Sequence, residues 1–283
     1  MAAEKHLGVD LGGTQIRAGL VESGSILQLA AGPTNSGGTA DDLLQQLFTL
    51  IDQVITSDTM SIGIGVPGLV DLSSGVVHDL VFIPSWKAIP LQKIVQEKYA
   101  LPVCINNDAN CFALGEWIAG KGKGKESLAV ITLGTGMGTG IILHNKLYSG
   151  KHCGAGEFGM IDYLDHNIEY YVSGSFFSQV YGLNGKTVYE KARNGCQSAL
   201  EMYRQFGKHL GNAIKTILYA LDVDTIILGG SVSVAWPFFQ ESMWQSIHGF
   251  AYKKTLEDLT VEVAEPGNGG IIGAASLFQD SIK

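Results

Sequence analysis

The sequence predicts an α/β fold made of two domains packed against each other. Its 283 residues exceed the roughly 150 residues of a typical domain. Short β-rich runs alternate with amphipathic helical runs along the whole chain, which is typical of α/β layering. Hydrophobic residues make up 46% and charged residues only 16% of the chain, against about 25% charged in an average domain. We therefore expect sizeable buried cores and no disordered linker.

The individual elements follow from residue type and spacing. Aliphatic and β-branched runs predict strands over His6–Leu11, Gln15–Glu22, Ser61–Val66, Val76–Phe82, Val103–Asn106, Leu128–Leu133, Gly140–His144, Thr225–Leu228 and Leu259–Ala264. Apolar residues at three- and four-residue spacing predict helices over Asp41–Ile55, Leu91–Tyr99, Ala109–Ala119, Ser198–Leu221, Pro237–Tyr252 and Ile271–Phe278. Thr39 is the expected N-cap of the first helix.

An internal repeat divides the chain. The segments Val9–Val21 and Ile131–Ile142 both consist of a strand, a glycine-rich turn and a second strand. Their separation is about one domain length, so we interpret them as a duplicated domain that offers one glycine hairpin per copy to a shared cleft. We place the boundary after Asn106. Residues 1–106, completed by the C-terminal helix 271–283, then form a smaller domain and residues 107–270 a larger one.

The two glycine turns are candidate phosphate-binding sites. Glycine lets successive backbone N–H groups point into one concavity, which binds phosphate oxygens without a basic side chain. Asp10, just before the first turn, is a candidate to hold a phosphate-bound Mg²⁺ through water. Such turns also occur in ordinary hairpins, and the pairing of two of them favours phosphate binding. The turn residues are Gly12, Gly13 and Thr14, and Gly134, Thr135 and Gly136.

Asp108 is the candidate catalytic carboxylate. It follows the strand Val103–Asn106 and opens the helix Ala109–Ala119, a common place for a functional group in an open α/β sheet. An N-cap explains the same position, because Asp is among the best capping residues. The two roles do not exclude each other.

Two other matches to phosphate-binding motifs are incomplete. Gly63–Gly68 fits GxGxxG, but Pro67 and the following LVD favour a turn into another extended segment. Gly185-Lys186-Thr187 resembles the end of a Walker A loop, yet the earlier glycine of that motif is Val180. We therefore assign neither segment to a nucleotide.

Charge and cysteine content exclude several classes of partner. The formal net charge is −8, so a nucleic acid or an anionic membrane is not an expected partner. The longest uncharged stretch, Ser127–Leu143, is rich in glycine and threonine, which argues against a membrane span. The four cysteines form no CxxC pair and the N-terminus lacks a signal-peptide pattern, so we expect free thiols in a reducing cytoplasm.

Seven segments stand in the order found in the ROK family of bacterial sugar kinases. They are DLGGTQIRAGLV, GIGVPGLVD, INNDANCFALGEW, ITLGTGMGTGIIL, GAGEFG, IILGG and GIIGAASL. None is decisive alone, whereas the ordered set covers almost the whole chain, from Gly8 to Leu277. The sequence thus resembles this family.

That resemblance implies an actin-like ATPase fold, with two ribonuclease-H-like α/β domains and mixed sheets around an interdomain cleft. It implies ATP and Mg²⁺ as cofactors, a homo-oligomer, and Asp108 as the base that takes the proton from the sugar hydroxyl. The two glycine turns would cradle the phosphates, with Gly229 and Gly230 beside the adenosine. The residues implied to bind the sugar are Asn107, Glu157, Glu169 and Gly68.

The sequence also departs from the family pattern. Met160 stands where the family usually has a histidine, and no cysteine of the usual zinc cluster lies between Met160 and Glu169. We expect no zinc site, because a tetrahedral site needs four ligands that this segment does not supply. Phe82 stands where the family often has a sugar-binding asparagine. These changes are compatible with an altered sugar, weaker binding or a lost activity.

Three functions are compatible with these sequence features. The leading hypothesis is an ATP-dependent kinase of a hexose or an N-acetylhexosamine. The alternative is a non-catalytic or weakly active sugar sensor without its own DNA-binding domain, since only nine residues precede Asp10 and the acidic balance disfavours DNA. An actin-like assembling protein is a third reading, against which the GAGEFG and NNDAN segments argue.

Overall fold

The computed structural model describes residues 4–78, 80 and 86–281. Of the strand predicted over Val76–Phe82, residues 79, 81 and Phe82 lie outside the described residues. By internal packing the chain divides into two compact units. The first unit contains residues 1–126, 140–155 and 266–283, and the second contains residues 127–139 and 156–265.

The elements of residues 4–126 follow each other in chain order. They are β1 (Lys5–Leu11), β2 (Gln15–Glu22), β3 (Ser25–Pro33), α1 (Ala40–Val54), β4 (Thr59–Val66), β5 (Leu69–Asp71), β6 (Val76–His78), β7 (Ala88–Ile89), α2 (Leu91–Tyr99), β8 (Val103–Asn107) and α3 (Asp108–Ala119).

The remaining residues continue the alternation. They form β9 (Leu128–Leu133), β10 (Met137–Leu143), β11 (Lys146–Leu147), β12 (Asp162–Tyr163), β13 (His166–Asn167), α4 (Ile168–Val172), α5 (Phe176–Tyr181), α6 (Gly185–Arg193), α7 (Gln197–Leu221), β14 (Thr225–Gly229), α8 (Trp236–Ile247), α9 (Lys253–Asp258), β15 (Thr260–Val263) and α10 (Gly269–Ser281). Short 3₁₀ helices lie at Phe158–Met160 and Ser231–Ala235.

The first unit is built on a five-stranded mixed sheet in the order β3-β2-β1-β4-β8. β1 pairs antiparallel with β2 and parallel with β4, and β4 pairs parallel with β8. β1 and β4 are almost fully buried, as parallel strands covered on both faces are. α1 packs on this sheet, and its N-cap is Thr39 in a capping box with Asp42, as predicted.

Glycines let α10 approach this sheet and α3 closely. A Cβ on Gly63 of β4 would lie 1.7 Å from the carbonyl oxygen of Ala274, and one on Gly273 would lie 1.6 Å from that of Cys111. Both positions are therefore open only to glycine. Much of the high glycine content serves this backbone-to-backbone packing.

The second sheet has the order β11-β10-β9-β14-β15. β14 pairs parallel with β9 and with β15. β10 begins in the second unit and runs past Thr139 into the first, where its end pairs antiparallel with β11. Both sheets thus consist of a β-hairpin followed by two parallel neighbours, which confirms the predicted α/β fold with mixed sheets and agrees with an internal duplication.

The predicted boundaries differ from the structure where local signals are weak. β3 was not predicted, because most of its residues are exposed and lack apolar alternation. The helix predicted over Pro237–Tyr252 ends at Ile247, since Gly249 follows and His248 is the C-cap. The helices α4, α5 and α9 were not predicted, because each is six residues or shorter, too short for a clear period.

The division into units has its own physical cause. α3 belongs to the first unit, because α10 packs along it through Gly115, whose Cβ would lie 2.0 Å from the carbonyl oxygen of Gly269. α10 itself also belongs to the first unit. The domain boundary after Asn106 stays a prediction about which residues form an independent domain.

Candidate functional site

The first unit brings two predicted carboxylates to one edge of its sheet. Asp10 pairs with Gly65 and Gly65 pairs with Asn106, so the ends of β1, β4 and β8 are level. Asp108 comes two residues after Asn106, and a Cβ on Gly65 would lie 3.5 Å from its Cα atom. This carboxyl edge of parallel strands is where open α/β sheets bind ligands.

The start of α3 fixes the orientation of Asp108. Asn107, not Asp108, is the N-cap: its Oδ1 accepts from the backbone N–H groups of Ala109 (2.9 Å) and Asn110 (3.3 Å). The capping interpretation of Asp108 is therefore wrong, because Asp108 is already the first helical residue. Its Oδ1 accepts from the N–H of Ala109 at 2.8 Å.

Asn107 also reaches the turn after β4. Its Nδ2 donates to the carbonyl oxygen of Gly68 at 3.2 Å. Gly68 has φ +124°, a conformation that other residues rarely adopt. The predicted sugar-binding residues Asn107 and Gly68 thus contact each other, next to Asp108.

A buried amide supports this junction. The Oδ1 of Asn106 accepts from the N–H of Asn107 (2.8 Å), Nδ2 of Asn110 (2.9 Å) and Sγ of Cys153 (3.2 Å). Its Nδ2 donates to Oγ of Ser149 at 2.9 Å. The side chains of Asn106, Asn110, Ser149 and Cys153 are all buried. Asn106 therefore ties the end of β8 to α3 and to the segment 149–153.

The first glycine turn is held by its own hairpin and by Thr34. The N–H of Gly12 donates to the carbonyl oxygen of Gln15 at 3.0 Å, and the hydroxyl of Thr34 donates to the carbonyl oxygen of Gly12 at 2.6 Å. The N–H of Thr34 donates to the carbonyl oxygen of Thr14 at 2.9 Å. With its carbonyl groups bound in this way, the turn has a fixed shape around Gly13.

Asp10 is paired with an arginine. Its Oδ2 accepts from Arg17 at 2.5 Å, and Arg17 also donates to Oδ1 of Asn268 at 3.3 Å. Within residues 4–78, 80 and 86–281, no three His, Cys, Asp or Glu side chains are grouped to hold a metal ion. The role of Asp10 toward Mg²⁺ stays a prediction.

In the second unit, the segment 169–175 holds the other glycine turn. The N–H of Gly134 donates to the carbonyl oxygen of Gly136 at 3.0 Å. From the segment, the N–H of Gly174 donates to the carbonyl oxygen of Gly134 (2.7 Å), and Oγ of Ser175 donates to that of Thr135 (2.8 Å). Oε2 of Glu169 accepts from the N–H of Met137 at 2.8 Å.

This turn forms one wall of a cavity of about 540 Å³ within the second unit, a volume in the range of small-ligand sites. Gly230, at φ +85°, lies against the backbone of Leu133 and turns the chain from β14 into the 3₁₀ helix that also lines the cavity. The lining residues are Gly134, Thr135, Gly174, Ser175, Phe177, Ser178, Asn184, Gly185, Lys186, Tyr189, Tyr203, Ser231, Val232, Val234 and Ala235.

Several of these residues were missed by the sequence reasoning. The available signal was Gly185-Lys186-Thr187, which we assigned to no nucleotide. In the structure Asn184 caps α6 by accepting from the N–H groups of Lys186 (3.0 Å) and Thr187 (3.3 Å). Asn184, Gly185 and Lys186 therefore line the cavity from a helix N-terminus, which favours an anionic ligand.

The predicted sugar-binding carboxylates of the second unit lie near each other. Packing around the carboxyl group of Glu157, together with the nearby Glu169, raises the pKa of Glu157, although the residue as a whole is exposed. A Cβ on Gly159 would lie 3.4 Å from Cβ of Glu169. Met160, in the position of the family histidine, is 51% exposed.

An aromatic cluster supports the hairpin before α4. The hydroxyl of Tyr163 contacts Nδ1 of His209 (3.1 Å) and accepts from Nδ2 of Asn212 (2.9 Å). Tyr171 stacks edge-on against Tyr163 and donates to Asp165. Burial, and to a smaller extent the charge of Lys208, lowers the pKa of His209. These contacts hold β12, β13 and α4 together in the segment where the resemblance expects a zinc cluster.

The structure contains no helix of the length and apolarity that a bilayer crossing requires, as far as the chain is described.

The chain is similar to known proteins along almost its whole length. The family model described as "ROK family" matches residues 6–281. A glucokinase of Streptomyces coelicolor is 30% identical over 97% of this chain and 97% of its own. The crystal structure of a ROK family glucokinase from Streptomyces griseus, in complex with glucose and AMPPNP, superposes with a TM-score of 0.83 at 29% identity and covers 96% of this chain and 98% of its own. A xylose repressor of Bacillus subtilis is 29% identical over 86% of this chain and 67% of its own length.

Proposed function

The chain belongs to the ROK family, and we propose that it is a sugar kinase that transfers the γ-phosphoryl group of ATP to a hydroxyl of a hexose or an N-acetylhexosamine. The observation that supports this best is the position of Asp108, a carboxylate at the end of β8 and the start of α3, bonded to the N–H of Ala109.

Asp108 is the proposed general base. It accepts the proton of the sugar hydroxyl as that oxygen attacks the γ-phosphorus, and ADP leaves with the electrons of the broken P–O bond. Phosphoryl transfer needs mainly in-line positioning and charge stabilisation, so a carboxylate that orients the hydroxyl is sufficient protein chemistry. The hydrogen bonds that Asn107 and Asn106 make to α3 hold the start of this helix, and with it Asp108, in place.

Backbone amides are the proposed phosphate ligands. The proposed donors are the N–H groups of Gly13 and Thr14 in the first turn and of Thr135 and Gly136 in the second, since those of Gly12 and Gly134 donate within their own turns. The cavity beside the second turn has the volume for the adenosine. A bound Mg²⁺ would neutralise phosphate charge, with Asp10 reaching it through water. The crystallised Streptomyces griseus relative holds AMPPNP, which supports a nucleotide as phosphate donor.

The proposed sugar contacts are polar side chains of each unit. Asn107, Glu157 and Glu169 supply the donors and acceptors that desolvated sugar hydroxyls require. Glucose in the same relative supports a hexose, and the choice between hexoses and their N-acetylamino derivatives belongs to experiment.

The test is a sugar panel with ATP and Mg²⁺. Glucose, fructose, mannose, allose and the N-acetylated hexosamines are incubated separately with the enzyme, and both ADP and the sugar phosphate are quantified. We expect stoichiometric ADP and sugar phosphate with at least one sugar. No product with any sugar would contradict the kinase proposal.

A sugar sensor is the second candidate. It is favoured by the similarity to the xylose repressor and by Met160 in place of the family histidine. Calorimetry distinguishes the two functions, because a sensor of this kind binds a sugar without binding ATP, whereas the proposed kinase binds both.

A further inference from the structure

The segment 169–175 makes three successive contacts with one glycine turn, and these contacts assign a new role to Glu169. The N–H of Gly174 donates to the carbonyl oxygen of Gly134 at 2.7 Å. The hydroxyl of Ser175 donates to the carbonyl oxygen of Thr135 at 2.8 Å. Oε2 of Glu169 accepts from the N–H of Met137 at 2.8 Å. We infer that Glu169 is a positioning residue of the nucleotide site, which fixes the turn that binds phosphate. This inference rests on the proposed function.

The bond to Met137 is the informative one. It joins a side-chain carboxylate oxygen of Glu169 to the N–H that directly follows the turn. A Cβ on Gly136 would lie only 2.4 Å from Oε2 of Glu169. The carboxylate therefore lies directly beside the turn, and a side chain at position 136 would displace it.

The backbone of Glu169 has a defined place. Asn167 caps α4 by accepting from the N–H of Tyr170 at 2.9 Å, which fixes the first turn of α4 that contains Glu169. Ile168 and Val172 of the same helix are buried. From this fixed helix the side chain of Glu169 reaches the N–H of Met137.

One carboxylate then serves two substrates. If Glu169 also contacts the sugar, as the family resemblance implies, sugar and nucleotide affinities are linked through it, and the linkage is reciprocal by thermodynamic necessity. A role limited to sugar binding makes the opposite prediction, namely that nucleotide affinity measured without sugar does not depend on Glu169.

The experiment measures the Kd of AMPPNP with Mg²⁺ and without sugar, for the wild type and three variants. Glu169→Ala removes the acceptor for Met137, and we expect about tenfold to a hundredfold weaker binding. Glu169→Gln keeps an oxygen that accepts the same N–H, and we expect binding within about threefold of the wild type. Glu257→Ala is the matched control, because Glu257 is an exposed carboxylate of the same unit that pairs with Lys254 in α9, and we expect unchanged nucleotide affinity.

Each outcome decides the inference. Wild-type affinity in Glu169→Ala, with sugar binding lost, would overturn it and leave Glu169 as a sugar contact only. Equal losses in Glu169→Gln and Glu169→Ala would also overturn it, because the charge and not the bond to Met137 would then matter. A wild-type protein that binds no AMPPNP would refute the proposed function itself, and this inference with it. Thermal unfolding of each variant establishes that it is folded.

Discussion

Nδ2 of Asn110 donates to Oδ1 of Asn106 at 2.9 Å, and both side chains are buried. The bond joins the end of β8 to the first turn of α3, on either side of Asp108. Since Oδ1 of Asn106 accepts two further hydrogen bonds there, one buried amide joins three groups around the candidate catalytic residue.

Replacing this amide is expected to destabilise the fold. Asn106→Leu keeps the size of the side chain but leaves Asn110, Ser149 and Cys153 without their partner, so we expect a loss of about 3 kcal/mol or more in the free energy of unfolding. Ser149→Ala removes only one of the bonds and is expected to cost about 1 kcal/mol. Urea unfolding measures both. Similar losses in the two variants would contradict the central role of Asn106.

Close packing at Gly63 gives a second prediction. Gly63→Ala brings a Cβ to 1.7 Å from the carbonyl oxygen of Ala274, and helix α10 has to move away from the sheet. We expect a loss of about 3 kcal/mol or more. Gly37→Ala is the control, because nothing lies within 4 Å of its Cβ, and it is expected to change stability by less than about 0.5 kcal/mol. Thermal or urea unfolding that ranks the two variants equally would refute this packing.

His209 predicts a dependence of stability on pH. Its pKa in the folded chain is lower than the ordinary value of 6.5 because of burial, so the unfolded chain binds the proton more readily. Its contribution to stability is therefore complete above about pH 6.5 and is lost as the pH falls. His209→Gln removes the titration, and its free energy of unfolding is expected to fall less between pH 7 and pH 5 than that of the wild type. Parallel pH curves for the two proteins would rule this out.

The parts of the fold that could be predicted from sequence are those with a strong local pattern. Leu91–Tyr99 has clear helical spacing and was predicted correctly, as was the second strand of the first glycine hairpin. The second strand of the other hairpin begins at Met137 and not at the predicted Gly140. β3 was missed because it is a largely exposed strand with little periodicity. Its place is set by pairing with β2 and not by its own residues.

The candidate site shows the same limit. Asp108 was predicted because it stands at a predicted strand end, and Asn107 because the family resemblance implies it. Asn184 and Tyr203 were not found as cavity residues, since no motif joins them and only the packing of α5, α6 and α7 brings them to the turn at Gly134. The bond between Glu169 and Met137 also arises from tertiary contact and has no signal in the sequence.

The formation of sugar phosphate by Asp108→Asn tests the account most directly. Asp41, an acidic residue in the first turn of α1, provides the matched control Asp41→Asn. With the sugar that the panel identifies, we expect the wild type and Asp41→Asn to have equal kcat, and Asp108→Asn to be slower by about 10² to 10⁴ while binding AMPPNP with unchanged affinity. A kcat of Asp108→Asn within threefold of the wild type would contradict the account.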